Sequence, residues 1–436
     1  MDFKKGKMDK PLNALVWGFD SISEALNNAD FIDIKFWIGK HKYVDINAHD
    51  IYHCNIPVKG FTNDSYKCFD YVYCNSFREF LHMCARHRLN NRKSIYDYYD
   101  LFVIYFNYFY SIIMEKGIEV ILISCVPHVG SDYLLYLIGK YLRKRVIIFY
   151  QSILPNRFFY TEKFEDFGNF DKYLKRFDNE GILLKPDYKP DLPYMKGSGK
   201  RKGKTEFTLA NFFERAFRKI CENKRKNEYK KKMGEVEQKA IDFRKPFIYF
   251  PLQLNPELTT TSLGGDFFDQ VLAIERLSCI LPEGWKIYVK ENPKQTYFMR
   301  GEFFFRRLQS LSDVVFVSKT MCTYDLINKS RIVATVTGTA GWEAITSGKN
   351  VIVFGNAWYK NFPGAHRFSD EMSLDSIASN DINLMKVRDK LNDMISKMGK
   401  GVIDPVYKDI VDKYSDKSNA RNIISFLNEL LYEQCH

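Results

Sequence analysis

Short apolar runs that end in glycine-bearing turns, each followed by a helix-like segment, constrain this chain more than any other feature. The clearest case is residues 334–359, ATVTGTAGWEAITSGKNVIVFGNAWY. A β-branched run meets T-G-T-A-G, a helical stretch follows, and a second apolar run ends in F-G-N-A-W-Y. Apolar runs of about four to eight residues, bounded by turns and alternating with helices, predict parallel strands buried on both faces.

The alternation occurs in two blocks. In the first, NALVWGF (13–19) and IDIKFWIG (32–39) read as strands, and Asp20 and Ser21 precede ISEAL as a helix N-cap signal. A helix-rich stretch spans about 76–116. GIEVILISCV (117–126) is a buried-type strand, PHVGSDYLLYLIGKYLRK turns into a helix, and VIIFYQS (146–152) is the next strand. From 153 to about 240 the pattern weakens, with prolines at 155, 186, 190 and 193, and reads as a loop-and-helix insertion followed by a linker. It restarts with PFIYFPLQ at 246, then a helix over 265–280, WKIYVKENP, a helix near 298–311, VVFVS, TYDLINKS, IVATVTGT, AGWEAITSG and NVIVFG.

The expected class is α/β, with two Rossmann-like domains facing a cleft. Residues 1–240 form the first domain and include a basic segment at about 196–232. Residues 241–404 form the second, nucleotide-binding domain, and 405–436, with ARNIISFLNELLYEQC, read as a C-terminal helix.

Composition narrows the function classes. With 436 residues the chain is long enough for two domains with real cores. Its nine cysteines show no C-x-x-C and no metal spacing with the eight histidines, which fits reduced thiols in the cytoplasm. The N-terminus, MDFKKGKMDKPLN, has no apolar leader core. LFVIYFNYFYSIIM (101–114) is 14 residues long and contains Asn107. A membrane span needs about 20, so a buried aromatic helix is expected there.

The net charge of +12 is concentrated. Residues 196–232 hold 14 Lys and Arg against 4 Glu, a local +10. Within them TLANFFERAFRKI places Leu209, Phe212, Phe213, Phe217 and Ile220 at near-helical spacing beside basic residues. Anionic lipid, nucleic acid and a solvated linker ending in a charged helix are all open readings. No groove-reading motif accompanies the block, so nucleic acid is not an expected partner.

The strongest chemical signal is VATVTGTAGWEA. A strand ending near Val336, a tight turn over Thr337, Gly338, Thr339, Ala340 and Gly341, and a helix starting near Ala340 present backbone N–H groups to an anion. Glu343 is expected in the first helical turn. Lys290 and Asn292, in YVKENPKQ, end another strand of the same half and would face the same crevice. FPLQLNPELTTTSLGG (250–265) carries Gln253 and Glu257, and SCVPHVGSD (124–132) carries His128 and Asp132. A D-x-D triplet is absent, so no metal-bridged diphosphate site is expected.

TVTGTAGWEAITSGKNVIVFGNAWYKNFPG, with IYVKENP and PLQLNPE upstream, resembles the bacterial capsular-polysaccharide biosynthesis proteins over about residues 246–367. That group includes Kdo transferases of GT-B fold that use CMP-activated sugars. SCVPHVGSDYLLYLIGKYL is similar to a P-H-E-G-x-D segment of the same group. Val129 stands where an acidic residue is usual, and Asn292 where many members have His.

The resemblance implies transfer of a 2-keto-3-deoxy sugar acid, Kdo or a nonulosonic acid such as pseudaminic or sialic acid, from its CMP donor. The acceptor would be a glycan or glycolipid of capsule or lipopolysaccharide. Lys290 and the 337–341 amides would stabilise the leaving phosphate without metal or other cofactor, Gln253 and Asn292 would line the donor site, and Glu343 would meet the ribose. Glu257, then Asp132, are the candidate carboxylates, with His128 as base or carboxylate partner. The expected location is the cytoplasm, with peripheral contact to anionic membrane through 196–232 on the inner face of the inner membrane. The alternative is a non-catalytic nucleotide- or sugar-binding component of a membrane-associated assembly complex.

Overall fold

A computed structural model describes residues 10–85, 94–169, 209–238, 241–255, 258–297 and 299–432. The chain divides into two compact units, Met1–Lys196 with Leu391–His436, and Gly197–Lys390.

In the first unit the strands are β1 (Leu12–Trp17), β2 (Ile32–Gly39), β3 (Ile46–Asn47), β4 (Val120–Ile123), β5 (Arg145–Gln151) and β6 (Arg157–Thr161). Its longer helices are α3 (Ser65–Ala85), α4 (Ile95–Glu115) and α5 (Ser131–Tyr141), after the short α1 (Ser23–Asn27) and α2 (Ala48–Tyr52). β1 pairs in parallel with both β2 and β4, so the chain order reverses direction between β1 and β4. In open α/β sheets ligands lie outside the carboxyl ends of strands at such a switch point.

The second unit contains α6 (Leu209–Val236) and six strands: β7 (Phe247–Pro251), β8 (Lys286–Lys290), β9 (Val314–Val317), β10 (Ile332–Thr335), β11 (Val351–Val353) and β12 (Ala365–Arg367). The order is β12-β11-β10-β7-β8-β9 and every pairing is parallel. This is the doubly wound Rossmann arrangement, with its switch point between β7 and β10. Connecting helices are α7 (Leu258–Leu263), α8 (Gln270–Cys279), α9 (Glu302–Gln309), α10 (Thr323–Lys329), α11 (Thr339–Thr346) and α12 (Leu374–Ser379). The central strands β7, β8, β10 and β11 are buried on both faces, as parallel strands between helix layers require.

The expected domain boundaries are corrected in two places. Residues 391–436 belong with the first unit, through α13 (Leu384–Ser396), β13 (Gly399–Lys400) and α14 (Asp416–Tyr432). β13 extends the first sheet antiparallel to β6. α14 buries Ile423, Phe426, Leu427, Leu430 and Leu431 in the core over β1, β4 and β5. That sheet face needs an apolar cover, and the apolar stripe of α14 supplies it.

The second correction concerns α6, expected as an insertion and linker of the first domain. Its carboxyl half belongs to the second unit, because Tyr229 and Met233 enter that core. The Tyr229 hydroxyl accepts a hydrogen bond from Lys319 Nζ at 2.9 Å. Residues 170–208 of the expected insertion lie outside the described residues.

Smaller differences have local causes. Strand β6 sits where the pattern read as loop, because its run RFFYT follows the turn at Asn156, whose φ is 55°. Asp20 does not cap a helix. Its carboxylate accepts the Lys40 N–H at 2.6 Å, tying the end of β1 to the end of β2. The aromatic run 101–114 lies inside α4, which begins in a capping box between Ser94 and Asp97 and packs Phe102, Phe106 and Phe109 into the core. Among the described residues no helix is long and apolar enough to cross a membrane.

Candidate functional site

Each unit's switch point holds one group of the expected site residues. In the second unit β7 ends at Pro251 and β10 at Thr335, and the chains leaving them are joined by one side chain. Gln253 Oε1 accepts the Thr337 N–H at 2.8 Å, and its Nε2 donates to Thr337 Oγ1 at 3.1 Å. Thr335 Oγ1 accepts the Gly338 N–H at 3.2 Å. The turn Thr337–Gly341 is therefore shaped by its own strand ends.

Helix α11 starts at Thr339, with Gly338 as its N-cap residue. A helix leaves its first N–H groups without i−4 acceptors, so Thr339 and Ala340 present theirs at the turn. Glycine is required at 341, because an added Cβ would collide with the buried Tyr359 ring, whose hydroxyl donates to the Gly338 carbonyl. Glycine at 355 serves the same close packing, since a Cβ there would lie 2.7 Å from the Leu263 carbonyl.

Gln253, expected to line the donor site, has its side-chain amide engaged by Thr337 and so shapes the 337–341 turn. Glu343 is the fifth residue of α11, and the first turn contains no acidic residue. Its charge is felt by the hydroxyls of Tyr249 and Tyr324, both raised above the ordinary tyrosine range by burial first and by Glu343 among the charges.

Lys290 ends β8, two strands from β10, and is 6% exposed. Its Nζ donates to the Met321 carbonyl at 2.6 Å and to Thr323 Oγ1 at 2.8 Å. Burial lowers its pKa below the ordinary lysine value, with Cys322 opposing. No described hydrogen bond joins Lys290 to the 337–341 turn. Two of its three donors brace the loop ahead of α10, and one remains for a ligand. Asn292 is half-buried and closes a local turn, its Oδ1 accepting the Lys294 N–H at 3.0 Å. Glu257 lies outside the described residues.

In the first unit, α5 begins after Gly130, whose φ is 90°. The Asp132 carboxylate, buried at 1% exposure, accepts the N–H of His128 at 2.9 Å and of Val129 at 2.9 Å. His128 Nδ1 lies 2.8 Å from the Val126 carbonyl, which can only accept, so Nδ1 carries the proton and Nε2 is the basic nitrogen. His128 Nδ1 is 3.8 Å from Asp132 Oδ2. His128 keeps the chemistry of a base. Asp132, expected as the second candidate carboxylate, holds its own loop through these bonds.

Sequence patterns did not reveal the support beneath the second site. Glu291 and Arg300 form an ion pair at 2.9 Å with side chains 0% and 1% exposed. Gln270 and Gln295, buried at 2% and 5%, each bond the backbone leaving β7. Amide side chains have no periodic signature, and the only hint was Gln295 within the KENPKQ run. Among the described residues no cluster of three or more His, Cys, Asp or Glu could hold a metal ion.

Comparisons with known proteins bear on the second unit. No curated protein sequence matches the chain significantly. Among solved structures, the beta Kdo 2,7 transferase of Thermosulfurimonas dismutans KpsC is similar at 13% identity, covering 66% of this chain and 89% of that one, with a TM-score of 0.30. The UDP-GlcNAc 2-epimerase of Methanocaldococcus jannaschii is similar at 11% identity, covering 96% and 99%, with a TM-score of 0.25. At those scores neither likeness fixes fold or function. A family model described as capsule polysaccharide biosynthesis protein matches residues 206–376, which take in α6, all six strands of the second unit and the 337–341 turn. Over that stretch the chain is similar to the capsule polysaccharide biosynthesis proteins.

Proposed function

We propose that this protein is a glycosyltransferase of GT-B type that transfers a 2-keto-3-deoxy sugar acid, Kdo or a nonulosonic acid, from its CMP-activated donor to a surface glycan or glycolipid acceptor. The observation that carries the reading is the start of α11. Its N–H groups meet no carboxylate from the first helical turn, and the turn ahead of it is closed by the neutral amide of Gln253. Such a helix start favours a phosphate through hydrogen bonds and the helix dipole together.

The CMP phosphate takes the Thr339 and Ala340 amides in this reading, and the remaining Lys290 donor adds positive charge. A phosphate leaving from the anomeric carbon is stabilised by these fixed donors. The acceptor hydroxyl loses its proton to a base, for which Glu257 and His128 are the candidates. Calorimetric titration with CMP, UDP and GDP tests the donor. CMP is expected to bind well above the other two, and EDTA to leave transfer intact. A preference for UDP, or a strict Mg²⁺ requirement, overturns the assignment.

The same reading includes peripheral contact with an anionic membrane. On α6, Lys219, Lys224, Arg225 and Lys230 are exposed and make no ion pair among the described residues. Charge reversal at these four positions is expected to release the protein from phosphatidylserine-containing vesicles, and salt to weaken wild-type binding. Equal vesicle binding by both proteins refutes the contact.

A further inference from the structure

We infer that Gln270 and Gln295 are positioning residues for the nucleotide turn, acting on it through Gln253. The inference deepens the donor-site reading and rests on it for the ligand. Beyond Pro251 the chain leaves the sheet, and its backbone N–H and C=O groups need new partners. Gln270 takes both groups of residue 253: its Oε1 accepts the N–H at 2.6 Å, and its Nε2 donates to the carbonyl at 3.0 Å. Gln295 does the same for Asn255, at 2.8 Å and 2.9 Å.

A primary amide presents one donor and one acceptor side by side, as a residue of a paired strand does. The two glutamines therefore continue sheet-like pairing at alternate residues of the exit loop. Gln253 repeats the pattern a third time, on the N–H and Oγ1 of Thr337.

Gln270 and Gln253 thus connect α8 to the turn that starts α11, and Gln295 holds the same exit loop two residues on, from the loop after β8. Arg300 reinforces the hold on this loop. It pairs with Glu291 at 2.9 Å and reaches the Gln253 carbonyl at 3.4 Å. All three glutamines are buried, at 8% exposure or less. Removing the Gln295 amide takes both partners from the backbone of Asn255, and removing that of Gln270 strands the Gln253 N–H and leaves its carbonyl to the longer Arg300 contact, costs that a loosened loop relieves. Gln270 and Gln295 bond the exit loop, and it is Gln253 on that loop that meets Thr337.

The test uses the full chain with Gln270→Met, Gln295→Met and Gln295→Glu. Amide hydrogen exchange and calorimetric CMP titration are the readouts. In both Met variants the Thr337 amide is expected to exchange about tenfold faster or more, and the CMP dissociation constant to rise about tenfold. The Ile248 and Val333 amides, in β7 and β10, keep wild-type protection. Gln295→Glu retains the acceptor for the Asn255 N–H and loses the donor, so it falls between wild type and Gln295→Met. Unchanged Thr337 exchange in both Met variants overturns the inference. So does a loss of protection spread evenly over β7, β10 and the turn, the mark of general destabilisation. If wild-type protein binds no CMP the donor reading fails, while the exchange measurement still decides the coupling.

Discussion

At the start of α5 the second helical residue is Asp132, whose carboxylate accepts two backbone N–H groups of its own loop. At the start of α11 the second helical residue is Ala340, and the turn before it is held by a neutral glutamine. Both turns follow the strand across a switch point between parallel strands, and both contain glycine. They differ in charge. The first helix start is already neutralised from within the chain, and the second keeps its partial positive charge for something else. A glycine turn at a strand end is therefore not by itself an anion site. What decides is whether the protein has filled it.

The comparison can be broken at three points. The largest effect is expected where the chemistry is. Asp132 holds its own loop, and the proposed function puts Glu257 first as the reacting carboxylate. Glu257→Gln, which removes the charge and keeps the size, should lower turnover about 100-fold or more, in the range for loss of a general base. CMP affinity should stay unchanged. Near-normal turnover in steady-state assays would move the role to His128 and to the first unit.

The next test makes the second turn resemble the first. Ala340→Asp places a carboxylate at the helix position that Asp132 occupies in α5. It should weaken CMP binding about tenfold or more, by putting like charge where the proposed function puts the phosphate. Thermal stability should hold or rise by about 0.3–1 kcal/mol from the helix dipole. Undiminished CMP affinity in calorimetry would show that the nucleotide lies elsewhere.

The smallest effect comes from emptying the first turn. Asp132→Ala strands two N–H groups and should cost about 1–3 kcal/mol of stability in denaturant unfolding. CMP affinity should not move. A loss of CMP binding without a loss of stability would mean that Asp132 serves the donor and not its loop.

Much of this was legible in the residues. The strands β2, β5, β7 and β8 fall where apolar runs meet turn residues, and α4 and α11 where helical spacing takes over. Fully buried parallel strands must be apolar throughout, and that leaves a clear trace. The T-G-T-A-G turn was legible for a related reason, because only glycine fits against Tyr359 at 341. Other features left no trace. Gln253 read as a ligand group, and nothing in PLQLNPE signals that its amide meets a threonine 84 positions away. Glu343 read as a first-turn residue because the helix start was taken near Ala340, too loosely to separate its first turn from its second.

The residues by themselves determined the two α/β blocks, their glycine turns and the location of basic charge, because burial and backbone geometry act on neighbours in the chain. Only the tertiary structure decided that α14 covers the first sheet, that Tyr229 ties α6 to the second core, and that Asp132 and Gln253 close two similar turns with opposite consequences. These outcomes depend on which polar groups meet after distant segments pack. A buried carboxylate or amide bonds whatever donor the fold brings to it, and its own sequence neighbourhood does not record that partner.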